Sequence, residues 1–285
     1  MSVIPCKQDH NLSILVDEYA ESLKAHAHTL GNHGLSEEQF YGAGVFRGAI
    51  ERIRGQFSAE TTGKREFVRD ILNHMQDGGF IAEWEPTAGD NRHEYVVKLP
   101  TGKTSVVEPK GCLDGNNTTI FERPPYADEF FIWSLCQNAA ADPRLNVWSG
   151  LHTRLSSEML IRKQCIDGVI VWDMVCGTVG RPCPKLFERP NRTTRVAHYT
   201  VPPTCLYVLP KKLPELPERI ISAAQTLEEV ELLRAFHLCF GGNDDEINYV
   251  DFDVAEDKGT LKRRTRVRRN GAVVKESNLT FIRRA

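Results

Sequence analysis

The spacing of apolar side chains changes period along the chain. Over residues 11–30, Leu12, Leu15, Val16, Tyr19, Ala20 and Leu23 recur at helical intervals, which predicts a helix ended by Gly31-Asn32-His33-Gly34. Ser36-Glu37-Glu38-Gln39 has the form of a capping box, and a second helix is expected from there to Arg54. Residues 63–79 set Phe67, Val68, Ile71, Leu72 and Met75 on one stripe, closed by Gly78-Gly79. The period then falls to two. Residues 80–85, 93–99 and 103–111 read as strands, the last two as a hairpin around Pro100-Thr101-Gly102. Helices are expected over 129–141, with Asp128 as the cap, and over 155–164. Residues 165–177 have a near-continuous apolar centre, as a strand buried on both faces should, and 196–210 hold one or two more strands.

A helix leading into a meander, then a helical crossover to another strand, implies an α/β fold: a mixed central β-sheet flanked by helices. The expected organisation is a helical region over 1–60, an α/β core over 61–210, and a C-terminal extension over 211–285, an acidic helix or loop followed by basic strands packed on the core.

Composition narrows the classes. The 285 residues are 41% hydrophobic and carry a net charge of −2, enough for a real core and too little charge for a polycation. Any nucleic-acid contact must come from a local patch. No apolar run approaches the ~20 residues of a spanning helix. The N-terminus lacks a basic region followed by an apolar stretch, so a cytoplasmic chain is expected. Eight scattered cysteines without a CxxC read as free thiols rather than disulfides or a zinc knuckle. No GxxxxGK[ST] and no GxSxG is present, which argues against an NTPase and an α/β-hydrolase.

Charge changes the picture twice. Residues 228–257 contain ten Asp or Glu, and 258–285 contain ten Lys or Arg against one Glu. The basic half alternates Thr and Val with Arg and turns at Asn270-Gly271, a strong hairpin signal, so it is either a solvated face or a phosphate-contacting strand. The second place is the 93–111 hairpin. Pro presets the first residue of its turn and Gly accepts the left-handed third, which suits a three-residue loop. That loop pairs Leu99 with Lys103 and, counting outward, sets Glu94 opposite Glu108, with Lys110 on the same face. Two carboxylates ~5 Å apart repel unless a cation lies between them or one is protonated, and hard oxygen ligands suit Mg²⁺. A salt-bridged solvated edge, using Lys98 and Lys110, is the alternative.

The arrangement resembles the PD-(D/E)XK nuclease superfamily, type II restriction endonucleases above all. The resemblance rests on Glu94, then Glu108-Pro109-Lys110 fourteen residues on, and on the element order over 64–177. His93-Glu94 stands where the family has Pro-Asp, which leaves Asp90 as a rival first ligand, and Glu66 is the candidate for an acidic residue from the preceding helix. The resemblance implies a Mg²⁺-dependent endonuclease for double-stranded DNA. Glu94 and Glu108 would be metal ligands, helped by the Pro109 carbonyl, and Lys110 would position the attacking water. A homodimer is implied too, its N-terminal helices plausible dimerisation material. Arg144, Asn146, Ser149, His152 and Arg154 become candidates for base reading, and Lys163, Arg162 and the Arg263–Arg269 run, with Arg263, Arg264 and Arg266 in it, for phosphate contact. A non-catalytic nucleic-acid-binding protein and a repair or recombination nuclease remain as alternatives.

Overall fold

The computed structural model describes residues 10–25, 34–43, 45, 49, 62–87, 94–111, 113, 120–136, 143–173, 183, 185–186, 189–211 and 220–282. The chain divides into two compact units, Met1–Thr61 and Thr62–Ala285. In the first, α1 (His10–Ala25) and α2 (Glu37–Gly42) contribute Val16, Tyr19, Ala20 and Phe40 to a small core. The expected capping box is present: Gln39 N–H donates to Ser36 Oγ, and Ser36 N–H to Gln39 Oε1, both at 3.2 Å. Most of the expected continuation to Arg54 lies outside the described residues.

The second unit is a mixed sheet of 11 strands with helices on both faces. Its order is β1 (Glu83–Pro86), β2 (Tyr95–Lys98), β3 (Thr104–Lys110), β4 (Glu129–Cys136), β5 (Gly168–Asp173), β8 (Cys205–Val208), β10 (Asn248–Asp257), β11 (Thr260–Arg269) and β12 (Ala272–Glu276). The short β9 (Ile220–Ser222) pairs with β10, and β13 (Thr280–Phe281) with β11. β3, β4 and β5 run parallel, as do β8 and β10, and the other pairs are antiparallel. A separate two-stranded hairpin joins β6 (Thr194–Val196) to β7 (Tyr199–Val201).

Helix α3 (Thr62–Asp77) packs its stripe of Phe67, Val68, Ile71, Leu72 and Met75 on one face of the sheet, beside α6 (Glu231–Phe240). Its end is stapled by Phe80 N–H donating back to Met75 C=O at 2.9 Å, with Gly79 in the left-handed conformation. The opposite face is covered by α4 (Pro143–Gly150), a π-turn (Leu151–Leu155) and α5 (Ser156–Arg162). Val147, Leu151 and Leu155 face that core at four-residue spacing, and 144–154 is helical. Gly150 is required there: a Cβ would lie 2.5 Å from Leu113 Cβ. Among the described residues no helix is long and apolar enough to cross a membrane.

Two sequence expectations need correction. The segment 129–141, expected as a helix, is strand β4 where it is described. Phe130 and Ile132 enter the core on the α4–α5 side, while Phe131, Trp133 and Leu135 enter the core on the α3–α6 side. A central parallel strand buried on both faces loses the alternation that would reveal it. Asp128, expected as a helix cap, instead accepts the Thr104 N–H at 2.8 Å. The acidic 228–257 segment is not only helix or loop: after α6 it forms β10, the longest partner of the basic β11.

Candidate active site

The β2–β3 turn places the carboxylates. Lys103 C=O accepts the Leu99 N–H, and Leu99 C=O accepts the Gly102 N–H, each at 2.9 Å, so Pro100-Thr101-Gly102 is the three-residue loop. Gly102 takes φ +91°, a conformation that costs other residues strain. The register Lys98↔Thr104 through Tyr95↔Val107 follows. One step further sets Glu94 opposite Glu108. Val96 and Val106 enter the core on the α4–α5 side, so by two-residue alternation Glu94, Glu108 and Lys110 share that face. Pro109, which has no N–H to give, falls past the last residue of β3 paired with β2.

Neither carboxylate is a solvated edge group: Glu94 is 2% exposed and Glu108 is 1% exposed. The Glu94 backbone is fixed by Thr87, whose Oγ1 accepts the Glu94 N–H at 3.1 Å. Lys110 Nζ lies 2.5 Å from Glu108 Oε1, and Phe121 N–H donates to Glu108 Oε2 at 3.2 Å. Lys110 also lies 5.1 Å from the centre of the Phe121 ring. Burial pushes the Glu108 carboxyl above its ordinary value, and the Glu94 charge pushes the same way, against the pull of Lys110 and the Phe121 N–H. The net direction is upward, with burial as the largest cause. Lys98 does not take part: its Nζ donates to Thr104 Oγ1 at 2.7 Å.

Three other buried carboxylates, Glu129, Asp167 and Glu158, serve the fold. Glu129 accepts the Glu231 and Leu232 N–H groups at 2.8 and 3.2 Å, which caps α6. Asp167 accepts the Phe130 N–H at 2.9 Å and a Gln225 side-chain N–H at 3.1 Å. Glu158 pairs with Arg154 at 3.0 Å and Arg162 at 3.3 Å. No group of three or more His, Cys, Asp or Glu stands ready to hold a metal among the described residues. Two carboxylates still match the donor set of Mg²⁺, which keeps several waters and takes one or two carboxylates plus substrate oxygen. Asp90, the rival ligand, lies outside the described residues. Glu66 is exposed on α3, which packs on the other face of the sheet from Glu94 and Glu108.

The nucleic-acid candidates scatter. Arg144 and Asn146 lie on α4, which starts beyond the C-terminal end of β4. Ser149 is half-buried on the same helix. His152 sits between Thr265 and Thr280, its ring nitrogens 3.0 and 3.2 Å from their hydroxyls. Burial and the neighbouring Arg263 lower its pKa to about 4. Arg263 is buried and donates to the His152 and Phe281 carbonyls. Arg154 is held by Glu158. Lys163 is exposed, in the left-handed position that ends α5. Arg264 and Arg266 reach Glu276 at 3.5 and 2.5 Å, and Arg266 also reaches Asp253 at 3.6 Å. The sequence reading missed Asp251 and Asp253 as the partners of the basic strand, although Val250, Phe252 and Val254 between them carry the two-residue period of a strand.

Compared with family models, curated proteins and solved structures, the chain matches none.

Proposed function

We propose that the chain is a Mg²⁺-dependent endonuclease for double-stranded DNA, built on a core like that of the PD-(D/E)XK nucleases and closest in kind to a type II restriction enzyme. The observation that carries this reading is the pair of buried carboxylates, Glu94 and Glu108, opposed across one hairpin, with Lys110 ion-paired to Glu108. The order of α3, the β1–β2–β3 meander and the later crossover to β5 supports it. One departure stands: β4 is inserted between the third strand and the helices, so the crossover comes one strand later than in that family.

Glu94 and Glu108, both ionised, would hold Mg²⁺ with the Pro109 carbonyl. When bound, Mg²⁺ supplies positive charge to a phosphoryl oxygen and to the attacking water. Lys110 donates a hydrogen bond to that water and offsets charge gathering on phosphorus. The water gives up a proton to solvent as its oxygen forms the new P–O bond and the bond to the leaving sugar oxygen breaks, and that leaving oxygen takes a proton from solvent. Cutting both strands would engage two copies of the chain.

The test is a cleavage assay on DNAs of varied sequence with Mg²⁺, in parallel with Glu108→Ala and Lys110→Ala. The wild type is expected to cut, and each variant to lose roughly 10²-fold or more in rate. A wild type that cuts nothing, or variants that cut as well, sinks the reading. One observation favours a second reading: Glu108 already has a cation partner in Lys110, at 2.5 Å. A non-catalytic nucleic-acid-binding protein would then bind DNA in the same assay and never cut it.

A further inference from the structure

The nucleic acid must leave the carboxylate corner along some path, and the inference drawn next rests on the nuclease reading. On the face that carries Glu94 and Glu108, most cations are already matched. Lys110 meets Glu108, Arg123 lies 3.6 Å from Asp167, and Arg154 and Arg162 share Glu158. Arg263 points to this face too, but it is buried and spends its donors on the His152 and Phe281 carbonyls and on Thr280.

Arg269 on β11 and Lys275 on β12 are exposed. Arg263, Thr265 and Val267 are the buried, inward series of β11, and Arg269 continues it by two-residue alternation. Lys275 is paired with Val267 across β11 and β12, which sets it on the same side. Arg269 donates from Nε and Nη2 to Asn248 Oδ1 at 3.2 and 2.7 Å. A neutral amide oxygen aims the guanidinium without cancelling its charge. Lys275 Nζ lies 4.7 Å from the centre of the Trp148 ring, which holds an ammonium while leaving its charge intact. Among the described residues neither cation has a carboxylate partner. Arg264, Arg266 and Arg268 alternate to the opposite face, where Asp251, Asp253 and Glu276 take them up.

The sheet relates the two places. Glu108 is paired with Ile132, Ile132 with Val169, Val169 with Tyr207, and Tyr207 with Asn248. One step past the Tyr249↔Arg268 pair sets Arg269 opposite Asn248. Glu108 and Arg269 therefore share one transverse row, five strand spacings apart, or ~24 Å at ~4.8 Å each. At ~3.4 Å of rise per base pair, that is about seven steps along a duplex.

We propose that Arg269 and Lys275 form a phosphate-contacting track for duplex DNA on the carboxylate face, with Asn248 orienting Arg269. The test is binding without cleavage: fluorescence anisotropy of a labelled DNA duplex with the full chain in EDTA, between about 50 and 200 mM salt. Arg269→Ala and Lys275→Ala are each expected to weaken binding about tenfold and to lower the salt-dependence slope by about 1. Arg264→Ala, on the opposite face, is expected to stay within about twofold, as is usual for a cation already matched on the surface. Circular dichroism checks folding, and Lys275, on an exposed edge strand, keeps the test open should Arg269→Ala unfold. The track is overturned if the wild type does not bind, if both variants bind like wild type, or if Arg264→Ala loses as much as they do. DNA bound through Arg269 and Lys275 but never cut leaves the track standing and removes the nuclease reading. Glu108-dependent cutting with unaltered binding by both variants does the reverse.

Discussion

Asp251 and Asp253 on β10, and Glu94 and Glu108 on the β2–β3 hairpin, are all buried carboxylates of one sheet. On β10 they are met across the strand pair: Arg268 donates twice to Asp251, at 2.5 and 3.0 Å, and Arg266 approaches Asp253. The acidic and basic halves of the C-terminal region are the two sides of one ladder, extended at its far end by Lys262 and Asp257. At the hairpin, burial and mutual repulsion outweigh the Lys110 ammonium, and the Glu108 carboxyl is pushed up. The lesson is that charge density along a sequence is a poor guide to a site. The ladder has far more charge, but it is balanced where it is buried. The corner has less charge, but burial there pushes the Glu108 carboxyl up.

The largest expected difference comes from removing a cation at each place. Lys110→Met leaves Glu108 buried without its ammonium and should cost about 3 kcal/mol in urea unfolding without divalent metal. Adding Glu108→Gln to that variant should return most of the loss. A cost near zero for Lys110→Met would mean that the corner is wetter than its burial indicates.

The next effect is on pH dependence. A Glu108 carboxyl raised in the fold holds a proton that the unfolded chain releases. Its contribution to stability is present below the ordinary value of 4.5 and is lost as pH rises through the raised value. Relative to Glu108→Gln, the wild type should therefore lose melting temperature from pH 4.5 upward. Glu129, raised by burial, adds the same sign to both proteins and cancels in the comparison. His152 behaves oppositely: held near 4, it stabilises above 6.5 and loses that contribution as pH falls from 6.5 towards 4. His152→Gln should flatten that acid-side loss. Slopes of equal sign at the two residues would erase the contrast between the corner and the contact of the π-turn with β11.

The smallest effect belongs to the ladder's outer rung. Arg264, paired with Glu276 at 3.5 Å on the surface, should cost less than about 1 kcal/mol when changed to Ala. A larger loss would show that the ladder supports the fold more strongly than surface pairs do.

The hairpin was legible because its turn chemistry fixes its register. Pro100 and Gly102 determine a three-residue loop, and every opposed pair follows from it. The Asn270-Gly271 turn between β11 and β12 was legible for the same reason, with both residues at positive φ. β4 was not, because both of its faces are apolar, and a run such as Phe130–Leu135 has no period to read. The fates of His152 and Arg263 were also hidden. Their types suit base and phosphate contact, but their use is decided by the docking of the π-turn on β11, residues more than a hundred positions apart. Within the basic run Arg263–Arg269, nothing local separates Arg269 from Arg264 or Arg266. Only the partner across the sheet does, an amide in one case and carboxylates in the others.

The central claim is that the corner formed by Glu94 and Glu108 binds a divalent cation. Titration calorimetry of the full chain with Mg²⁺ tests it most directly. One ion per chain is predicted for the wild type, lost in Glu94→Gln and in Glu108→Gln, and bound more tightly in Lys110→Met, where the competing ammonium is gone. No binding by the wild type, or binding that survives both glutamine substitutions, would contradict it.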